Sequence, residues 1–199
     1  PKRDCPAWQA FAQAELIKGG TVDATFIKFL VDPVKEVRWL GAIALDDWGK
    51  EFRKNTEMAK QVVAAARAER ESEVGLFMGN IVGKIDVAKT GLADDIKKLL
   101  AESNNGLMRQ HLVHGILDNN RKEGGFYDVL RQIARTDKDS GVRKMAAGAF
   151  WTGGGERPDD TCKLWLELSD DADDDLAGQA AYFCAFWQAH AGGCITEWD

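Results

Sequence analysis

The stretch Asp32–Gly49, DPVKEVRWLGAIALDDWG, returns 105 residues later as Asp137–Gly154, DKDSGVRKMAAGAFWTGG. Superposed, Asp32 meets Asp137, Val37-Arg38 meets Val142-Arg143, Ala42 and Ala44 meet Ala147 and Ala149, and Gly49 meets Gly154. The same apolar helix start recurs at Val74, Met108 and Leu176, so the anchors Val37, Val74, Met108, Val142 and Leu176 are 37, 34, 34 and 34 residues apart. A period of that length holding two helical patterns signals stacked helix pairs, because one pair alone cannot bury its apolar face. The spacing predicts an all-α chain, an α-solenoid or superhelix of about five antiparallel helix pairs.

Outward from that stretch, apolar residues at helical spacing place the pairs at about 21–49, 56–85, 90–118, 125–152 and 159–190, with a tail at 191–199, all in one domain. Phe26, Ile27, Leu30 and Val31 mark the first helix, about Asp23–Val31, and Pro33 forces the turn after it. The third pair is expected to open at Thr90 and to break at Asn104-Asn105-Gly106. Ala7–Lys18 reads as a capping helix closed by Gly19-Gly20, so residues 1–20 form an N-terminal cap. No segment alternates with period two, which predicts essentially no sheet.

Bulk composition narrows the function classes. The 199 residues are 45% hydrophobic and 29% charged, which argues against disorder. A net charge of −6 disfavours nucleic acid, since phosphate binding needs clustered Lys and Arg. No apolar run reaches the roughly 18–20 residues that span a bilayer, and no leader peptide is legible.

The Asp–x4–Val–Arg step followed by small residues resembles HEAT and HEAT-like repeats, including the bilin-lyase type. The resemblance is fullest at Asp32-Val37-Arg38 and Asp137-Val142-Arg143 and partial at Met108-Arg109. Gly75 and Ala177 stand where the Arg is expected. The resemblance implies that the Asp caps the second helix or meets the Arg of its own or a neighbouring repeat. It also implies that second helices line the concave side. Positions two, six and nine after each anchor point away from each helix's apolar stripe. Trp39, Asp46, Asn80, Gln110, His114, Lys144, Trp151 and Tyr182 fall there and form the expected partner-binding stripe. Aromatic residues among polar ones suit a protein interface. The alternative for Trp39 and Trp151 is packing under an adjacent repeat.

Catalytic signals are absent. His111, His114 and Asp118 lie one turn apart, but His111 takes the register of Leu40, Phe77 and Met145 and reads as a packing residue, so no metal site is expected. The acidic run Asp170–Asp175 lacks the Gly and closing Glu of a calcium loop and reads as a solvated turn whose last acids cap a helix. Gly153-Gly154-Gly155 has no following Lys-Ser/Thr and is no phosphate loop. No pattern requires a cofactor, so the chain reads as a non-enzymatic scaffold for a protein or peptide.

Cys162, at the start of one helix, and Cys194, past the end of its antiparallel neighbour, are expected to form a disulfide, which favours a secreted or periplasmic setting. Cys184 reads as a core residue. Two other functions stay open. One is a nucleic-acid binder resembling the HEAT-like DNA glycosylases, for which the stripe offers only Lys144 as a cation. The other is a bilin lyase-like role, which pigment absorbance tests.

Overall fold

The computed structural model describes residues 22–120, 123–150 and 158–191, with side chains over 22–120, 123–150 and 161–186. The expected cap at 1–20, Trp151 and Cys194 lie outside the described residues. Among the described residues there are eleven α-helices, one 3-10 turn and no strand. The chain divides into two compact units, Pro1–Gly124 and Gly125–Asp199.

The first unit holds α1 (Val22–Phe29), α2 (Lys35–Trp48), α3 (Thr56–Ala68), α4 (Ser72–Gly83), the single turn α5 (Val87–Thr90), α6 (Ala93–Glu102) and α7 (Gly106–Asn119). First helices pack on first helices, α1 on α3 and α3 on α6, while second helices pack on second helices, α2 on α4 and α4 on α7. The α1 stripe buries Phe26 and Ile27, and α3 buries Ala59, Val62, Val63 and Ala66 at helical spacing. The third pair departs from expectation at its start. Asp86 caps α5, and Gly91 closes it at φ 72°, a left-handed position that glycine takes without a Cβ penalty. The first helix proper therefore begins at Ala93 rather than Thr90.

The second unit holds α8 (Phe126–Thr136), α9 (Ser140–Ala147) with the 3-10 turn Gly148–Phe150, α10 (Pro158–Leu168) and α11 (Asp174–Ala191). It repeats the arrangement, α8 against α10 and α9 against α11. Phe126, Leu130 and Ala134 form the buried stripe of α8 at four-residue steps.

One turn recurs in all five pairs, five residues before each anchor. There a side-chain oxygen accepts the backbone N–H two residues on: Asp32 from Val34 at 2.8 Å, Glu69 from Glu71 at 2.8 Å, Ser103 from Asn105 at 3.2 Å, Asp137 from Asp139 at 2.9 Å and Asp171 from Asp173 at 2.8 Å. Such short-range bonds shape the backbone into a turn. Where the anchor is followed by Arg, its Nη1 donates to the carbonyl of that same turn residue: Arg38 to Asp32, Arg109 to Ser103 and Arg143 to Asp137, each at 2.9 Å. The rest of the fork reaches the next pair inside each unit. Arg38 grips Glu69 at 2.7 and 3.1 Å, and Arg143 grips Asp171 at 2.9 and 2.6 Å. These are bidentate, charge-assisted bonds.

The disulfide expectation is corrected in one respect: among the described residues no complete bridge joins two cysteines. Cys184 is a buried free thiol, its pKa raised by that burial. Cys162 is itself disulfide-bonded, but Cys5 and Cys194 both lie outside the described residues, and so does the pairing of Cys162 with Cys194. What is described at the last pair is apolar packing: Leu164, Trp165 and Leu168 of α10 and Leu176 and Ala180 of α11 are buried, with Trp165 and Phe183 ring centroids 5.0 Å apart.

Candidate functional site

In the first unit the second helices α2, α4 and α7 lie side by side and carry Trp39 and Asp46, Asn80, and Gln110 and His114 respectively. Trp39 is half-buried, with its ring edge-on to Phe77 at 6.1 Å. It therefore meets the adjacent pair and is part of the surface at once. Asp46 accepts a bond from the Asn80 amide at 2.8 Å and pairs with the Lys84 ammonium. Only 9% of the Asp46 side chain and 20% of the Lys84 side chain are exposed, so this pair is partly shielded from solvent screening. The Asn80 Oδ1 is buried with no hydrogen-bond partner.

The α7 part of the cluster holds two imidazoles with ring centroids 6.4 Å apart. His111 is half-buried, in keeping with its packing register. Burial lowers its pKa and the neighbouring His114 lowers it further, while Asp46 acts in the opposite direction. His114 is exposed, its Nδ1 3.7 Å from Asp118 Oδ2. Gln110 is half-buried. Asp46, Asn80, Lys84, His111 and His114 thus form one polar neighbourhood across three helices.

Sequence reasoning missed Lys84, because positions two, six and nine after Val74 are Leu76, Asn80 and Gly83. Gly83 is instead buried at the α4–α7 crossing, where an added Cβ would lie 2.6 Å from the Gly115 Cα. The missed signal was the four-residue step from Asn80 to Lys84, which stacks the two side chains on one face.

In the second unit, Lys144 of α9 is not an open cation. It pairs with Asp173 at 2.7 Å and Asp175 at 3.3 Å, bonds that raise its own pKa and hold the Asp173 carboxyl far below the usual range. Asp173 also accepts from Leu176 N–H at 3.0 Å, the helix cap expected from the end of the acidic run. Tyr182 of α11 is 63% exposed and stacks on Phe186, itself 44% exposed, with centroids 6.4 Å apart and planes at 27°.

Two recesses of 380 and 320 Å³ occupy the turn edge of the first unit, the larger between Arg70, Ser72, Glu102 and Asn105, the smaller beside the Arg38–Glu69 pair. Among the described residues no three His, Cys, Asp or Glu side chains converge as metal ligands, and no helix is long and apolar enough to cross a membrane. No protein-family model, curated protein or solved structure matches this chain.

Proposed function

We propose that this chain is a HEAT-like helical-repeat scaffold, without catalytic activity of its own, that binds a protein or peptide along faces formed by its second helices. The observation that carries the reading is the side-by-side arrangement of α2, α4 and α7. They present the Trp39–Phe77 aromatic pair and the Asp46–Asn80–Lys84 cluster on neighbouring helices. A large aromatic group beside partly shielded polar groups is the composition of an interface centre. The recurrent turn and the Arg38–Glu69 and Arg143–Asp171 clasps support the repeat part of the reading. The clasps tie the first pair to the second in one unit and the fourth to the fifth in the other, as the family resemblance implies for its Asp and Arg.

Site-specific photo-cross-linking tests it. A photoreactive residue at His114, on the second-helix face, is expected to capture a discrete partner, and Trp39→Ala is expected to abolish the capture. Equal capture from Gln61, an exposed position on α3, would overturn the reading. Salt-sensitive DNA binding lost with Lys84→Ala would replace it by the nucleic-acid alternative.

A further inference from the structure

The two units differ sharply in charge. Residues 1–124 contain 19 Lys and Arg against 18 Asp and Glu, a net +1, whereas residues 125–199 contain 7 against 14, a net −7. The second unit therefore carries all of the chain's excess negative charge. On the same unit, Asp175, Gln179, Tyr182 and Phe186 follow one another along α11 at steps of four, three and four, which puts them on one helix face. All four are exposed, and the Asp175 side chain is 81% exposed although it also meets Lys144. Beside them an added Cβ at Gly178 would touch nothing within 4 Å, so the backbone there is open to an incoming side chain.

We propose that this face of α11 docks a basic amphipathic segment of another protein, its Lys or Arg side chains lying over the Tyr182 and Phe186 rings and beside the Asp175 and Asp174 carboxylates. A cation is attracted to the face of an aromatic ring, and Arg also stacks on it. The stacked Tyr182–Phe186 pair supplies such a surface, and the acidic first turn of α11 supplies the counter-charge at one end of it. Apolar residues of the segment cover the remaining ring area. The unit's net −7 draws a basic partner in and repels an acidic one. The inference rests on the reading of second-helix faces as binding surfaces and names the partner chemistry for one of them.

The test titrates a fluorescein-labelled amphipathic Leu/Arg peptide into the full chain at low salt, with a Leu/Glu peptide of the same pattern as its counterpart. The Leu/Arg peptide is expected to bind. Tyr182→Ala with Phe186→Ala should weaken it about tenfold or more, and Asp175→Asn about threefold with a shallower salt dependence. Helical circular dichroism checks that the variants stay folded, which their exposure makes straightforward. Equal binding of the Leu/Glu peptide, no binding of either, or an unchanged affinity in the folded aromatic variant would each overturn the assignment. So would sedimentation showing that the face joins two copies of this chain. If Trp39→Ala abolishes binding and the α11 variants do not, the second-helix reading stands and only the α11 assignment falls.

Discussion

At the junction of the first and second pairs, Arg38 bridges to a Glu69 carboxylate that is only 1% exposed. At the junction of the second and third pairs the same register positions hold Gly75 and Ser103, and neither charge is present. There α4 and α7 meet through glycine. Added Cβ atoms at Gly79 and Gly83 would lie 2.2 Å from the Met108 carbonyl and 2.6 Å from the Gly115 Cα. Small residues at four-residue steps let two helix backbones approach, so dispersion between main chains takes the place of a charged clasp. The loss of the acid at Ser103 matches the loss of the Arg at Gly75: a carboxylate retained there would lack its fork. One helix pair thus has two ways of joining its neighbour, one directional and charged, the other short-range and apolar.

Breaking the glycine junction should have the largest effect. Gly79→Ala forces a methyl onto backbone that cannot give way, with an expected loss of about 3 kcal/mol in urea unfolding. Gly75→Ala should cost less, because its Cβ would meet the end of the Asn105 side chain, at 2.2 Å, rather than a carbonyl. Equal losses at the two positions would show that the close approach of backbones is not what matters.

The charged junction comes next. Glu69→Ala removes the partner of Arg38 and the acceptor of the Arg70 and Glu71 N–H groups, at a cost of about 2 kcal/mol. Its pH signature is distinct. Burial pushes the Glu69 carboxyl up, but the bonds from Arg38 and from the Glu71 and Arg70 N–H groups outweigh it and leave the pKa lowered. A carboxyl depressed in the fold contributes stability fully above its unfolded value of about 4 and loses it as pH falls through the lower folded value. Chemical denaturation below pH 4 should therefore show a shallower acid limb in Glu69→Gln than in the native chain.

A glycine with open space around it serves as the control for Gly79. Gly178→Ala lies inside the exposed part of α11 and is expected to raise stability by about 0.5–1 kcal/mol, through helix propensity alone. A loss there would mean that the α11 backbone is approached by something.

The smallest effect belongs to His111. Its lowered pKa means that protonation favours the unfolded chain, so its contribution is complete above the ordinary value of about 6.5 and declines as pH falls below it. Thermal unfolding between pH 7.5 and 5.5 should be less pH-dependent in His111→Gln.

The amino-acid sequence by itself determined the helical class, the positions of the second helices and the turns between paired helices. Those follow from local pattern: apolar residues at 3.6-residue spacing, a Pro or Asn-Gly break, and an acid at the start of the next helix. The expected pairs at about 21–49, 125–152 and 159–190 contain the observed helices Lys35–Trp48, Phe126–Thr136 and the one that starts at Asp174. The proposed binding stripe was legible only in part. Phase along one helix places Asp46 and Asn80 off the apolar stripe, but it does not say that Lys84 joins them, that Lys144 is occupied by Asp173 and Asp175, or that Tyr182 stacks on Phe186.

Tertiary structure alone decided those points, and the glycine crossing too. Read along the chain, Gly75, Gly79 and Gly83 look like weak helix residues. Their role exists only against Met108, Leu112 and Gly115 of another helix. The same holds for the acids that stand five residues before four of the five anchors. Asp32 and Asp137 showed the repeat in one dimension, yet the acids that hold Arg38 and Arg143 are Glu69 and Asp171, supplied by the following pair. The physical reason is one of range. Backbone pattern is set by neighbours within about four residues, whereas a side chain's partner is set by which helix packing brings within hydrogen-bond distance.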